Sequence, residues 1–270
     1  MKALVLSGGG AHGSWQSGVV SALFDCGHKY DIVTGVSVGA INALGVAYGL
    51  GTSELRALWA SLKSNSAVYK WAHWWSPLTA PWRTGLYSIA PLRAKLRDVV
   101  AHRGLVQTNC HIVCVDLASG MSEANLLTGD RNADVEAVLA SASYPLAFEA
   151  VNGRTDGGIR DVTPLGLAID LGATDALAVV CTEPKVEAVQ APTTLLGTAT
   201  RMLDLILNEV AVNDLEVCRS INRSVTAGLD VKHKYVNLGV MFPSAPHGYG
   251  SLEFDGEKLA ASFDRGYREV

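Results

Sequence analysis

The sequence is poor in charge and poorer in aromatic rings. Charged residues make up 18% of the 270 positions and aromatic ones 7%, whereas hydrophobic residues reach 49%. So little charge beside so much apolar surface excludes a disordered chain, because a large core can be buried. A basic excess is missing too: 22 Lys and Arg stand against 26 Asp and Glu, for a net charge of −4. That removes the general attraction to phosphate on which nucleic-acid binders rely, so no nucleic-acid partner is expected. Cysteine is scarce, odd in number and scattered, at Cys26, Cys110, Cys114, Cys181 and Cys218. Such a set makes a poor disulfide framework and suits a reducing compartment. Cys110, His111 and Cys114 invite a zinc reading. They lie in a strand-like run without a second ligand pair, so packed thiols are expected and no metal is assigned.

Leader, linker and repeat signals are also lacking. Met1-Lys2 passes at once into ALVL and glycines, too short an apolar run for a secretory leader. From Ile32 to Ser53 there is no charge, a run long enough to cross a bilayer. Its many glycines, its Thr34, Ser37 and Asn42, and a central turn signal read better as a buried strand, a tight turn and a buried helix. A soluble, cytoplasmic protein is expected. With no repeat and no charge block to divide it, residues 1–270 are read as one domain.

What is present alternates. Strands are expected at Lys2–Leu6, Asp31–Val36, His111–Leu117, Ala176–Cys181 and Tyr235–Val240. Helical patterns fall at Ser14–Cys26, Val38 to about Tyr48, Ser53–Leu62 with Ser53 as N-cap, Pro91–His102 and Ala133–Ser141. Three more follow at Pro164–Leu171, Thr194 to about Asn222 and Lys258–Glu269. Phe148–Val151 and Arg154–Asp156 flank Asn152-Gly153, a pair suited to a type I′ hairpin turn. The pattern is that of an α/β fold with a largely parallel central sheet.

Two glycine motifs sit where the first two strands run into helices. GVSVG, from Gly35 to Gly39, matches G-x-S-x-G, in which glycines leave room for a sharp turn that projects the hydroxyl of Ser37 from the sheet. GGGAHG, from Gly8 to Gly13, fits G-x-G-x-x-G and so could cradle a dinucleotide. The acidic residue such a site needs would be Asp31, which lies at the wrong end of the second strand. Bare glycine amides serve equally as an oxyanion hole, and the Ser at the neighbouring strand end favours that use. A nucleophilic Ser needs a base. His233 and His247 have the chain order of a hydrolase triad, and Asp156, before Gly157 and Gly158, is the other candidate.

Together these features resemble the patatin-like phospholipases, and the resemblance runs through nearly the whole chain. It rests on GGGAHG, on GVSVG about 25 residues later, on ASASYP at 140–145 and on the DGG at 156–158. Asp161 and Pro164 then stand where the family has Asn-x-Pro, and Phe254, Lys258, Leu259 and Gly266-Tyr267 resemble the tail of bacterial members. Ser7, His12 and Asp161 depart from the family's more usual Asp, Arg or Lys, and Asn. The resemblance implies a three-layer α/β/α domain and a serine hydrolase cleaving acyl esters of lipids or phospholipids, with no metal or cofactor. Ser37 would attack, Asp156 would act as base, and N–H groups of Gly8, Gly9, Gly10, Ala11 and Val38 would hold the oxyanion. A His-based esterase or acyltransferase, and a nucleotide- or lipid-binding module without turnover, are the rival readings. The stretch WAHWWSPLTAPW, with Trp71, Trp74, Trp75 and Trp82, is the candidate for peripheral membrane contact, although the same rings would equally fill a core or a dimer contact.

Overall fold

In the computed structural model, which describes residues 1–72, 84–183 and 191–270, short aliphatic runs build the sheet. β1 (Lys2–Leu6) and β2 (Ile32–Val36) are buried along their length apart from Lys2. Such strands need helices on both faces, which is the setting of a parallel sheet. β1 pairs in parallel with β2 and β8 (Asp175–Val179), and β2 with β5 (Asn109–Asp116). β9 (Asn237–Met241) adds in parallel to β8, and β6 (Ser122–Leu126) closes the other edge antiparallel to β5. The order is β6-β5-β2-β1-β8-β9, with the short β7 (Arg154–Asp156) also on β5. Lys70–Trp71 and Tyr87–Ser88, β3 and β4, form a separate two-residue ladder.

Alternation along β1 sorts the helices into layers. Leu4 and Leu6 face a core shared with α1 (Gly13–Asp25), α2 (Val38–Ala47), α3 (Thr52–Ala60), α4 (Ala90–Ala101), α5 (Arg131–Ser141) and α8 (Gly256–Arg268). Ala3 and Val5 face a second core with α6 (Leu165–Asp170) and α7 (Leu195–Thr226). The result is the mixed α/β, largely parallel architecture read from the sequence. Among the described residues, no helix is long and apolar enough to cross a membrane.

Several local expectations shift for physical reasons. α3 is capped at Gly51, not Ser53, because the Glu54 carboxylate accepts the Gly51 N–H at 3.0 Å and starts the helix earlier. Asn152 and Gly153 both have positive φ, 53° and 75°, as a type I′ turn requires. Residues 148–151, however, form only isolated bridges, because the second arm, β7, pairs with β5 instead. Cys110 and Cys114 both lie in β5, where four residues of extended chain hold them about 13 Å apart, too far to share an ion.

Candidate active site

β2 enters α2 through Ser37, whose φ of 53° and ψ of −123° are rare for a side chain with a Cβ. The turn is tight enough that a Cβ on Gly39 would stand 2.2 Å from the Leu6 carbonyl oxygen, and one on Gly35 2.6 Å from that of Gly39. Strain of this kind persists only where surrounding contacts fix it. Here the Ser37 N–H donates to the Ser141 hydroxyl at 2.8 Å, and that hydroxyl donates to the Val113 carbonyl at 2.5 Å. Ser141 thus ties the elbow to β5.

The sheet itself brings Asp156 to this elbow. One edge of β5 pairs with β2 as far as Val36 opposite Val113, and then with β7, beginning at Asp156 opposite Cys114. β7 takes up the edge where β2 leaves it, so Asp156 occupies the ladder step beyond Val36. Its N–H donates to the Ser143 carbonyl at 3.1 Å, and its Oδ1 accepts the Gly158 N–H at 2.8 Å. Gly157 sits so close to β5 that a Cβ there would meet the Val113 oxygen at 2.4 Å. Burial pushes the Asp156 carboxyl up to about 7, against the opposing pull of the Ser37 hydroxyl and the Gly158 N–H. Oδ2 is buried with no hydrogen bond of normal geometry, so the Ser37 hydroxyl lies near without closing one onto it. A buried carboxyl with one open oxygen beside a projecting hydroxyl can accept and return a proton near neutral pH.

The glycine loop lies against the same elbow: a Cβ on Gly8 would be 3.3 Å from that of Ser37. Its amides divide into two sets. The Gly8 N–H donates to the Val162 carbonyl at 3.0 Å and the Ala11 N–H to that of Ser251 at 2.7 Å. Those two of the five expected oxyanion donors are therefore already engaged. Gly9 and Gly10, with φ of 153° and 58°, have no acceptor among the described residues, and Val38 opens α2, where the first helical N–H groups lack intrahelical partners. Gly13 supports the arrangement at a distance, since a Cβ there would stand 2.2 Å from the Val38 side chain.

The two candidate histidines, His233 and His247, are engaged elsewhere. His233 is exposed and pairs with Asp230 at 2.7 Å, away from the cavities around Ser37. His247 lines the larger cavity, but its Nε2 lies 2.8 Å from the Cys181 carbonyl and its Nδ1 2.9 Å from an Arg265 nitrogen. Burial and the electrostatic repulsion of His12, on which it stacks, and of Arg265 hold it down at about 3, so it is neutral. With Nε2–H donating to Cys181 and Nδ1 accepting from Arg265, neither ring nitrogen is open.

Sequence reasoning misses the residues that frame the cavity. The Tyr144 hydroxyl donates to Asp204 of α7 at 2.9 Å, and the Ser251 hydroxyl to the same oxygen at 3.2 Å. Tyr144 falls in the ASASYP block without a stated role, and Asp204 is one polar residue of many on a long helix. Trp71 is 62% exposed and packs on Tyr87 with ring centroids 4.7 Å apart. Trp74, Trp75 and Trp82 lie outside the described residues.

A family profile described as "Patatin-like phospholipase" matches residues 4–169. The "Uncharacterized protein YqhO" of Bacillus subtilis (strain 168) is 27% identical over 184 residues, which span 60% of this chain and 62% of that protein. Among solved structures, VipD from Legionella pneumophila aligns over 99% of this chain and 65% of its own, at 15% identity and a TM-score of 0.42. The chain thus spans less than two thirds of either protein's length.

Proposed function

Because the chain belongs to the patatin-like phospholipase family, we propose that it hydrolyses acyl esters of lipids, with Ser37 as nucleophile and Asp156 as its base. The observation that carries this reading is the placement of a strained Ser and a buried, half-open carboxyl at adjacent ends of two strands on one edge of β5. Oδ2 of ionised Asp156 takes the Ser37 proton as the hydroxyl oxygen bonds to the ester carbonyl carbon. The charge that develops on the carbonyl oxygen meets the N–H groups of Gly9, Gly10 and Val38. On collapse, the bond to the alcohol breaks and Asp156 returns its proton to that alcohol. Water then adds to the acyl-Ser37 ester, giving a proton to Asp156, and the carboxylic acid leaves as Ser37 recovers its hydroxyl.

The engaged nitrogens of His247 and the remoteness of His233 support Asp156 over a histidine base. The same reading takes residues 1–270 as one domain, supported by the packing of α8 at the chain's end on α1 at its start. It also takes exposed Trp71 as part of a contact with a lipid surface. The test is a fluorophosphonate probe, which needs an activated serine, followed by peptide mass spectrometry and hydrolysis of a soluble ester. Labelling at Ser37, lost in Ser37→Ala, is the expected result. Turnover that survives in a folded Ser37→Ala protein would end the assignment.

A further inference from the structure

Two cavities open on Ser37, and Gly10, Ser37, Tyr144 and Leu252 line both. Beyond that shared throat they differ. The larger, a chamber of about 200 Å³, carries Asp156, Arg201, Asp204 and Asn208. The smaller is an apolar slot of about 50 Å³ between α2, α3 and α4, walled by Ile41, Leu58, Trp59, Leu62 and Leu96. Its polar atoms are turned elsewhere: the Trp59 indole N–H donates to Asn42 at 3.1 Å, and the Tyr144 hydroxyl to Asp204, which lines the chamber.

Asp156 decides which half of an ester enters which cavity, because it lines the chamber and not the slot. A leaving alcohol takes its proton from Asp156, so the alcohol lies on the chamber side. With the carbonyl oxygen on Gly9 and Gly10, the remaining substituent of the reacting carbon, its acyl chain, points into the slot. The slot's size then sets a limit. At about 50 Å³ against about 200 Å³ for the chamber, the slot offers a quarter of the chamber's space, which suits a short chain.

Building on the reading of Ser37 and Asp156 as nucleophile and base, we propose that the slot is the acyl site and restricts the substrate to short chains, with Tyr144, held by Asp204, as the partition that keeps the chain out of the chamber. The substrate class is a short-chain acyl ester of a bulkier, polar alcohol. Burial of each methylene in an apolar site is worth about a fourfold gain, until the slot is full.

The experiment measures kcat/KM for nitrophenyl esters from acetate to dodecanoate. In the parent protein the value should climb to butanoate or hexanoate and fall at least tenfold by dodecanoate. Leu58→Ala, which lengthens the slot, should move the maximum to longer chains. Ile41→Trp, with Ile41→Phe as a milder filling, should move it towards acetate. Tyr144→Leu should flatten the profile, by opening the chamber to long chains. A parent profile that still rises at dodecanoate, or one unchanged by filling and emptying the slot, overturns the proposal while leaving the catalytic reading intact. A second measurement needs no turnover: in Ser37→Ala, hexanoate should raise the melting temperature more than dodecanoate, and adding Ile41→Trp should abolish the shift. Should no ester be hydrolysed while that shift persists, the catalytic reading falls and the slot stands. Absence of both the chain-length limit and the shift overturns the slot.

Discussion

The Asp161 carboxyl hydrogen-bonds to that of Asp214, joining the segment after the DGG turn to α7. Asp214 also accepts the N–H groups of Thr163, at 2.9 Å, and of Val162. The two accepted N–H groups favour the ionised form of Asp214, so the proton stays on Asp161 and is donated to Asp214. Burial and the neighbouring carboxylate push Asp161 up to about 7, and burial raises Asp214 to about 6. An Asn at 161 would supply the same donor without a proton to lose.

That relationship predicts how Asp161→Asn behaves. Both folded-state values lie above the ordinary carboxyl range, so between about pH 4 and 7 the folded chain binds more protons than the unfolded one. Stability from this pair is present at the acid end of that window and is lost as pH rises through it. Asp161→Asn should therefore raise the melting temperature by a few degrees at pH 8, with a smaller gain at pH 5. Thermal melts of both proteins across this range check it, and an equal difference at both ends would count against the shared proton.

Asp156 governs a second pH dependence. With its carboxyl at about 7, kcat/KM for a soluble ester should rise through an acid limb near that value and level off above it. Asp156→Asn should lower turnover by at least about a thousandfold, since the amide cannot accept the proton. The same change removes a buried carboxylate at pH 8, so stability there should increase. His233→Ala should keep its activity, whereas His247→Ala should lose stability more than turnover per folded molecule, because Cys181 and Arg265 lose their partner. Activity at several pH values beside circular dichroism separates these outcomes. A limb near pH 4 would contradict the raised carboxyl.

Ser141 holds the elbow from outside the reaction. Ser141→Ala leaves the Ser37 N–H and the Val113 carbonyl without their partner, at a cost of about 1–3 kcal/mol for a buried polar group. The strained Ser37 turn should relax, so kcat should fall by roughly tenfold or more as KM changes little. Kinetics measured well below the melting temperature test this. A loss of activity that follows only the unfolded fraction would reduce Ser141 to packing.

Gly10→Val tests the loop. The residue has φ of 58°, and a Cβ there would stand 2.1 Å from the Ser251 oxygen, the acceptor of the Ala11 N–H. Displacing that contact should move the Gly9 and Gly10 amides, and a lost oxyanion donor costs about 3–4 kcal/mol in the barrier. Hydrolysis should drop by a few hundredfold at temperatures where the variant remains folded. Retained turnover would show that the two amides are not aimed at the reacting oxygen.

Much of this is legible in the sequence because its causes are local. Gly35 and Gly39 mark the elbow because the backbone of the neighbouring strand and helix excludes any side chain there. Asn152-Gly153 marks a turn by its torsions. What is hidden depends on partners distant in the chain. Nothing near Gly8 or Ala11 reveals that Val162 and Ser251 already take their N–H groups. β6 escapes because an edge strand needs no apolar run, and SEANL alternates only weakly. Asp204 gains meaning only when α7 crosses Tyr144 and Ser251.

The shared edge of β5 makes that strand a ruler for the site. The spacing of Ser37 and Asp156 is set by rungs of a ladder, not by the length of chain between them. Loops in that interval could lengthen, shrink or be cut open without altering the distance, provided β2 and β7 keep their registers. A slip of β7 by a single residue would instead carry Asp156 about 3.3 Å along the strand and turn its carboxyl to the opposite face of the sheet.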